Sequence, residues 1–283
     1  MNNLAVTPAF KLLVLCADDF ALSAQVSEAI AQLAAAQRIS ATSAMVLSPR
    51  WAEDAACLKE LRGQIDVGLH LDWTSDFAID KGHGRSLGQT MLRSVLPEAL
   101  GGLKFNAVKA QIERQLDAFE SVWQAPPDHI DGHQHVQQFG TIRQALLQVM
   151  SSRYAGRQPY LRVSRPPQGQ ADFKGRVMAA WGSQTLKREA AVQRIPTSPA
   201  LSGIYDLFDE DLHYADLMDV WLSQVPEATL LMCHPGLPAS TGGQRGDHAY
   251  ARVAEWQHLS SEHFVQQLWH HQVRLVRGAS LFP

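Results

Sequence analysis

Cysteine is nearly absent from this chain. Cys16, Cys57 and Cys233 are odd in number and far apart. That spacing supports neither a disulfide framework nor a Cys-x-x-Cys metal pair. Cys16 and Cys233 lie in apolar runs, where a free thiol behaves as a small hydrophobe. Basic clusters are missing as well, and the formal net charge is -3. This argues against nucleic acid or an anionic membrane as the main partner. No apolar run approaches the roughly 18 residues of a transmembrane helix. Met1 to Pro8 lack the basic-then-apolar layout of a signal peptide. The expected compartment is the cytoplasm. No internal repeat, low-complexity tract or domain linker stands out.

What is present is apolar sequence in quantity: 46% of 283 residues are hydrophobic. That suffices for a large core, and the expectation is a single domain over residues 1–283. Residues 1–10 read as a flexible N-terminal tail. Strand-like runs recur at Leu12–Phe20, Ala41–Leu47, Ile65–Leu71, His129–His133, Tyr160–Val163, Thr229–Cys233 and Val273–Val276. Helical periods separate them. Ser23 is placed to cap a stripe of Val26, Ile30, Leu33 and Ala34. Further helices are expected over Trp51–Leu61, Val108–Trp123, Thr141–Arg153, Leu212–Leu222 and Ser260–His271. From Ser164 to Leu201 only a helix over Val177–Ala191 stands out. Asp72 to Gly102 breaks the rhythm, with a period only around Thr90–Leu96, and residues 72–105 read as an insertion near the active site. Strands alternating with helices imply an α/β fold with a parallel sheet. About seven strands over this length fit a closed or nearly closed (β/α) barrel, whose working residues sit at the C-terminal strand ends.

Asp18, Asp19, His70, Asp131, His133 and His234 all fall at or just past such ends. A buried, unpaired carboxylate costs several kcal/mol, so the Asp18-Asp19 pair calls for a cation or proton partner. Adjacent strand residues face opposite ways, and both acids turn inward only if the chain bends there. One acid would then bind a metal while the other takes a proton from water. Helix capping is the alternative for either acid. His70, between Leu69 and Leu71, is either a ligand or a core histidine. Asp131, His133 and His135 share one face if the segment is extended, and a metal-ligand role is expected for at least one of the three. Asp131 is a candidate to orient His133. His234 is a ligand, a general acid or a core residue. Arg162 and Arg165 hold an acid or a substrate, or are solvated surface arginines.

Four segments together resemble one family. Ala17-Asp18-Asp19-Phe20, Gly68-Leu69-His70-Leu71, His129-Ile130-Asp131-Gly132-His133-Gln134-His135-Val136 and Met232-Cys233-His234-Pro235 are similar to the signatures of the YdjC-like carbohydrate deacetylases. That family includes chitooligosaccharide deacetylases and hopanoid-associated relatives. Tyr250–Leu259, with Arg252 and Glu255, resembles the family's C-terminal segment. The resemblance implies a deformed (β/α) barrel that removes an acetyl group from an N-acetylated amino sugar. It implies one divalent metal ion on Asp19, His70 and His133, with Asp18 as the base and His234 as proton donor to the amine. Magnesium is the expected ion, and zinc is the alternative on ligand softness. Asp131, His135, Arg162 and Trp73 are expected to bind substrate or support the ligands. Trp73, Phe77 and Trp181 are candidates to stack on sugar, with core packing as the alternative. Two positions depart from the family: Ala21 replaces the usual glycine and Gln137 the usual histidine. A metal-dependent phosphoesterase and a non-catalytic sugar-binding protein are the rival functions. A homodimer is the expected assembly.

Overall fold

The computed structural model describes residues 10–156, 158–167, 182–208, 213–238 and 249–282. Trp181, the tail to residue 9, the start of the Val177 helix and much of the 236–248 loop lie outside the described residues.

The first apolar run forms β1 (Lys11–Phe20), buried from Leu13 onward. It is the axis of the sheet. β2 (Ala41–Ala44), β3 (Asp66–Leu71), β4 (His129–Gly132) and β5 (Tyr160–Leu161) run outward from one edge of β1. β7 (Leu230–Cys233) and then β6 (Leu201–Ser202) extend from the other. β8 (Val273–Leu275) pairs with the first residues of β1, Lys11 to Leu13. Every pairing is parallel. Among the described residues the sheet thus has eight strands against an expected seven or so. The two-residue β6 was not expected. The same stretch links the open edges: Leu161 N donates to Pro196 O, Ser198 N to Leu161 O, and Leu201 N to Arg165 O. The result is a single deformed (β/α) barrel with helices outside.

The helices follow the apolar stripes. α1 (Ala24–Ala35) starts where Ser23 accepts from Val26 N, and it buries Val26, Ile30, Leu33 and Ala34. Such a cap contributes about 1 kcal/mol. α2 (Trp51–Leu58) stacks Trp51 on Phe119 at 5.3 Å. The 72–105 stretch is not irregular throughout. It holds α3 (Asp76–Asp80) and α4 (Leu87–Val95), capped by Ser75 and Ser86. Asp72 pins its start by accepting from Thr74 N and Ser75 N, each at 3.0 Å. α5 (Phe105–Trp123) buries Ile112, Leu116, Phe119 and Trp123, and packs beside α6 (Gly140–Arg153). α7 (Gln184–Val192) and α8 (Tyr214–Gln224) follow. α9 (Ala249–Ser260) and α10 (Glu262–His270, capped by Ser261) complete the layer before β8.

One glycine decides the packing under the site. A Cβ on Gly68 would stand 2.3 Å from the fully buried His129 ring. No side chain fits there unless His129 moves.

Candidate functional site

At its C-terminal end β1 gains one residue over β2. Ala17 pairs with Thr42 but Phe20 with Ala44. Asp19 takes a left-handed φ of 68° and Ala21 one of 72°. This bulge is the bend that the paired acids required. Both Asp18 and Asp19 are buried, 2% exposed.

Asp19 Oδ1 lies 3.0 Å from His133 Nδ1 and 3.4 Å from His70 Nε2. One ligand atom from each of the three residues falls within 4.8 Å of the others. Arg252 Nη2, from α9, takes the other carboxylate oxygen at 2.6 Å. His70 Nδ1 donates to Asp131 Oδ1 at 2.6 Å, because a carboxylate only accepts. The His70 Nε2 lone pair is therefore the one available to an ion, an arrangement common to metal-binding histidines. The expectation for Asp131 needs correcting: it orients His70, its cross-strand neighbour in the β3–β4 register, and not His133.

Asp18 is gripped by a guanidinium. Arg162 Nη1 and Nη2 reach Asp18 Oδ1 and Oδ2 at 2.8 Å each. Nη2 also lies 2.7 Å from Asp131 Oδ2. Ser43 Oγ sits 2.7 Å from that same oxygen and 3.2 Å from Asp18 Oδ1. Arg162 is fully buried, so the solvated-surface alternative fails for it. Arg165 instead donates to Gln184 Oε1. Burial alone would raise the Asp18 pKa, but Arg162 and His70 outweigh it and hold the carboxyl below its ordinary value. Asp19 and Asp131 are held well below theirs against the same penalty, chiefly by Arg252 and Arg162 respectively.

Three buried carboxylates thus meet two buried guanidiniums. Burial would lower the His70 pKa, yet Asp131 beside it, with Asp19 and Asp18, drives it up to about 10. The site lacks one positive charge, and the imidazole supplies it by holding a proton. A divalent ion on Asp19, His70 and His133 would meet the same need, and the Asp-His-His donor set fits one.

His234 Nε2 lies 3.9 Å from Asp18 Oδ2. Burial lowers its pKa to about 4, so the ring is neutral. Its backbone N–H donates to Glu255 on α9, whose Oε1 accepts from Tyr205 at 2.5 Å. Burial pushes the Glu255 carboxyl up to about 7. Glu255 and Arg252 sit three apart on α9 and brace His234 and Asp19 from one face.

The expectation for His135 fails in its geometry. From His133 to Gln138 the chain is kinked, with Gln134 (φ 52°) and His135 (φ 61°) left-handed and not helical. Asp131, His133 and His135 therefore do not share an extended face. His135 instead places Nδ1 2.9 Å from Ser164 Oγ. Trp73 is 3% exposed, with its ring edge-on to His83. Ser43 and Tyr205 were not anticipated. The only hint of Ser43 was a hydroxyl inside a small-residue strand, and nothing in the sequence pointed to Tyr205.

Among curated proteins, the chain is 24% identical over 254 residues to the chitooligosaccharide deacetylase of Enterobacter sp. (strain 638), covering 89% of this chain and 91% of that protein. It is 30% identical over 138 residues to the chitooligosaccharide deacetylase of Serratia marcescens, covering 44% and 50%. Among solved structures, a putative cellobiose-phosphate cleavage protein from Enterococcus faecalis V583 superposes with a TM-score of 0.67 at 20% identity, covering 97% of this chain and 100% of that one. That likeness shows a shared fold. The profile of the YdjC-like proteins matches residues 12–270. With the acids, imidazoles and arginines disposed as above, this chain belongs to the YdjC-like family.

Proposed function

We propose that this protein is a metal-dependent carbohydrate deacetylase that hydrolyses the acetamide of an N-acetylated amino sugar. The observation that carries the reading is the charge deficit at Asp19, His70 and His133, set beside a carboxylate that is clamped and free of that ligand set. A divalent ion held there supplies Lewis acidity, which makes water acidic near neutral pH and polarises a carbonyl.

Asp18 is the base. Arg162 fixes both its oxygens and keeps it ionised, so it is ready to take a proton from the attacking water. His234 is the proton donor to the departing nitrogen. Being neutral, it must first gain a proton, and Asp18 Oδ2 at 3.9 Å is the near source. Water's hydroxyl thus joins the carbonyl carbon, the C–N bond breaks, and the proton reaches the amine. Positioned acid–base groups of this kind contribute about 10²–10⁴-fold each. Glu255 and Arg252 hold the two ends of this path in register.

Magnesium is the family expectation, while two imidazoles favour zinc. A phosphoesterase would want a second ion. The other two ligand clusters among the described residues both depend on Asp131. Its Oδ2 is already engaged by Arg162 at 2.7 Å, which disfavours a second cation. Among the described residues no helix is long and apolar enough to cross a membrane. A cytoplasmic homodimer remains part of the proposal, with light scattering as the check on assembly. The function itself is tested by acetate release from N-acetylglucosamine oligomers and other N-acetylated sugars, with and without added metal.

A further inference from the structure

One hydrogen-bond chain beside the site ends on an atom that no group among the described residues uses. It begins at the carbonyl of Arg162, which can only accept. Gln137 Nε2 donates to that carbonyl at 3.1 Å. This fixes the amide, because the flipped form would press its oxygen against a second acceptor. The same Nε2 lies 3.2 Å from Ser164 Oγ, so its second N–H goes to that hydroxyl. Ser164 is fully buried. Its own proton needs an acceptor, and a buried hydroxyl without one costs about 1–3 kcal/mol. His135 Nδ1, 2.9 Å away, is the acceptor present. His135 Nδ1 therefore carries no hydrogen, and the neutral ring must carry it on Nε2.

That Nε2–H has no protein partner among the described residues and is not sealed from solvent, unlike the orphaned Nδ1 of His234. The ionisable groups that act on His135 are those of the site: Arg162, Asp18, His70 and His234. The left-handed pair Gln134 and His135 sets the ring there. Left-handed backbone at two successive non-glycine residues costs roughly 1–3 kcal/mol each and is characteristic of working sites.

We propose that Gln137 and Ser164 lock His135 in its Nε2–H tautomer, so that it presents a fixed hydrogen-bond donor to an acceptor oxygen of the bound sugar. The locking chain stands on geometry alone. The identity of the acceptor rests on the deacetylase reading. A fixed donor binds an acetamide or hydroxyl oxygen and rejects a group that itself only donates, which makes His135 a determinant of specificity.

The test is ¹⁵N NMR of histidine rings in the full chain loaded with Zn2+, assigned by difference against His135→Gln. The expected result is a hydrogen-free Nδ1 and a protonated Nε2 at His135. Ser164→Ala should then release the lock and give a mixture of tautomers. In kinetics, His135→Leu is expected to lose about 100-fold in kcat/KM, the scale of one donor in an active site, while still binding one metal per chain. His135→Gln, which keeps an N–H at the same reach, should recover at least about tenfold of that. An Nδ1–H signal in the wild type overturns the lock. Equal turnover by the Leu and Gln variants overturns the donor role. If the wild type releases no acetate from any N-acetylated sugar yet shows the Nε2–H signal, the deacetylase reading and its acceptor fall while the lock stands.

Discussion

Metal binding to this protein should release a proton, and the structure says how many. In the metal-free chain His70 is held by Asp131 at 2.6 Å, and its pKa stands at about 10. Near pH 8 the ring is therefore an imidazolium. Its other proton stays on Nδ1, donated to Asp131, so the proton lost to an incoming ion is the one on Nε2. One proton is released per ion bound, and affinity tightens about tenfold, or about 1.4 kcal/mol, for each unit by which the pH rises toward 10. Isothermal titration in two buffers of different ionisation enthalpy measures the number directly. The expected result is a buffer-dependent heat matching close to one proton and a Kd about tenfold tighter at pH 8.5 than at 7.5. Asp131→Asn removes the largest influence raising His70 and should cut the release well below one. Heats independent of buffer, with one Kd at both pH values, would refute the reasoning.

Four further outcomes are expected. Asp18→Asn should keep metal affinity within a few-fold but lower kcat by about 10²–10⁴, and turnover equal to wild type removes Asp18 from the base role. Ala21→Gly relieves a left-handed φ of 72° and should raise stability by about 1 kcal/mol in urea melts, and an unchanged midpoint contradicts it. Gly68→Ala drives a methyl to 2.3 Å from the His129 ring and should cost about 1–3 kcal/mol, measured the same way. Glu255 has a folded pKa raised to about 7, so it keeps a proton that the unfolded chain has lost. Its contribution is fully present below the unfolded carboxylate pKa and falls as pH rises toward 7. The stability of Glu255→Gln relative to wild type should therefore climb between pH 4.5 and 7.5, and a flat difference contradicts the assignment.

The central part of this fold was legible because its strands are unmixed apolar runs. After Lys11 in β1 and Asp66 in β3, the runs of β1, β3 and β7 are apolar and uncharged up to Asp18, His70 and His234, so strand and site appear in the same few letters. β6 was illegible because two residues carry no period. The insertion hid α3 and showed α4 only as a period around Thr90–Leu96, because serine caps and short helices leave little apolar pattern. The pairing of Asp131 with His70 could not be seen because it depends on the β3–β4 register, which no single segment encodes. His135 was placed on the wrong footing because neither Gln134 nor His135 signals a left-handed backbone. Ala21 shows the reverse: a glycine was expected from the family, and the left-handed φ there explains why. Arg252 and Glu255 were noticed only by resemblance, since an Arg and a Glu three apart on a helix ordinarily suggest a solvated face.

The claim on which the whole account rests is that one divalent ion at Asp19, His70 and His133 is needed to cleave an N-acetyl group. It is tested most directly by stripping the full chain with chelator, restoring one equivalent of Zn2+ or Mg2+, and measuring acetate released from N-acetylglucosamine oligomers, alongside Asp19→Ala treated identically. The expected result is no release after stripping, recovery on restoring the ion, and no recovery in Asp19→Ala. Release that survives stripping, or that Asp19→Ala recovers in full, would contradict it.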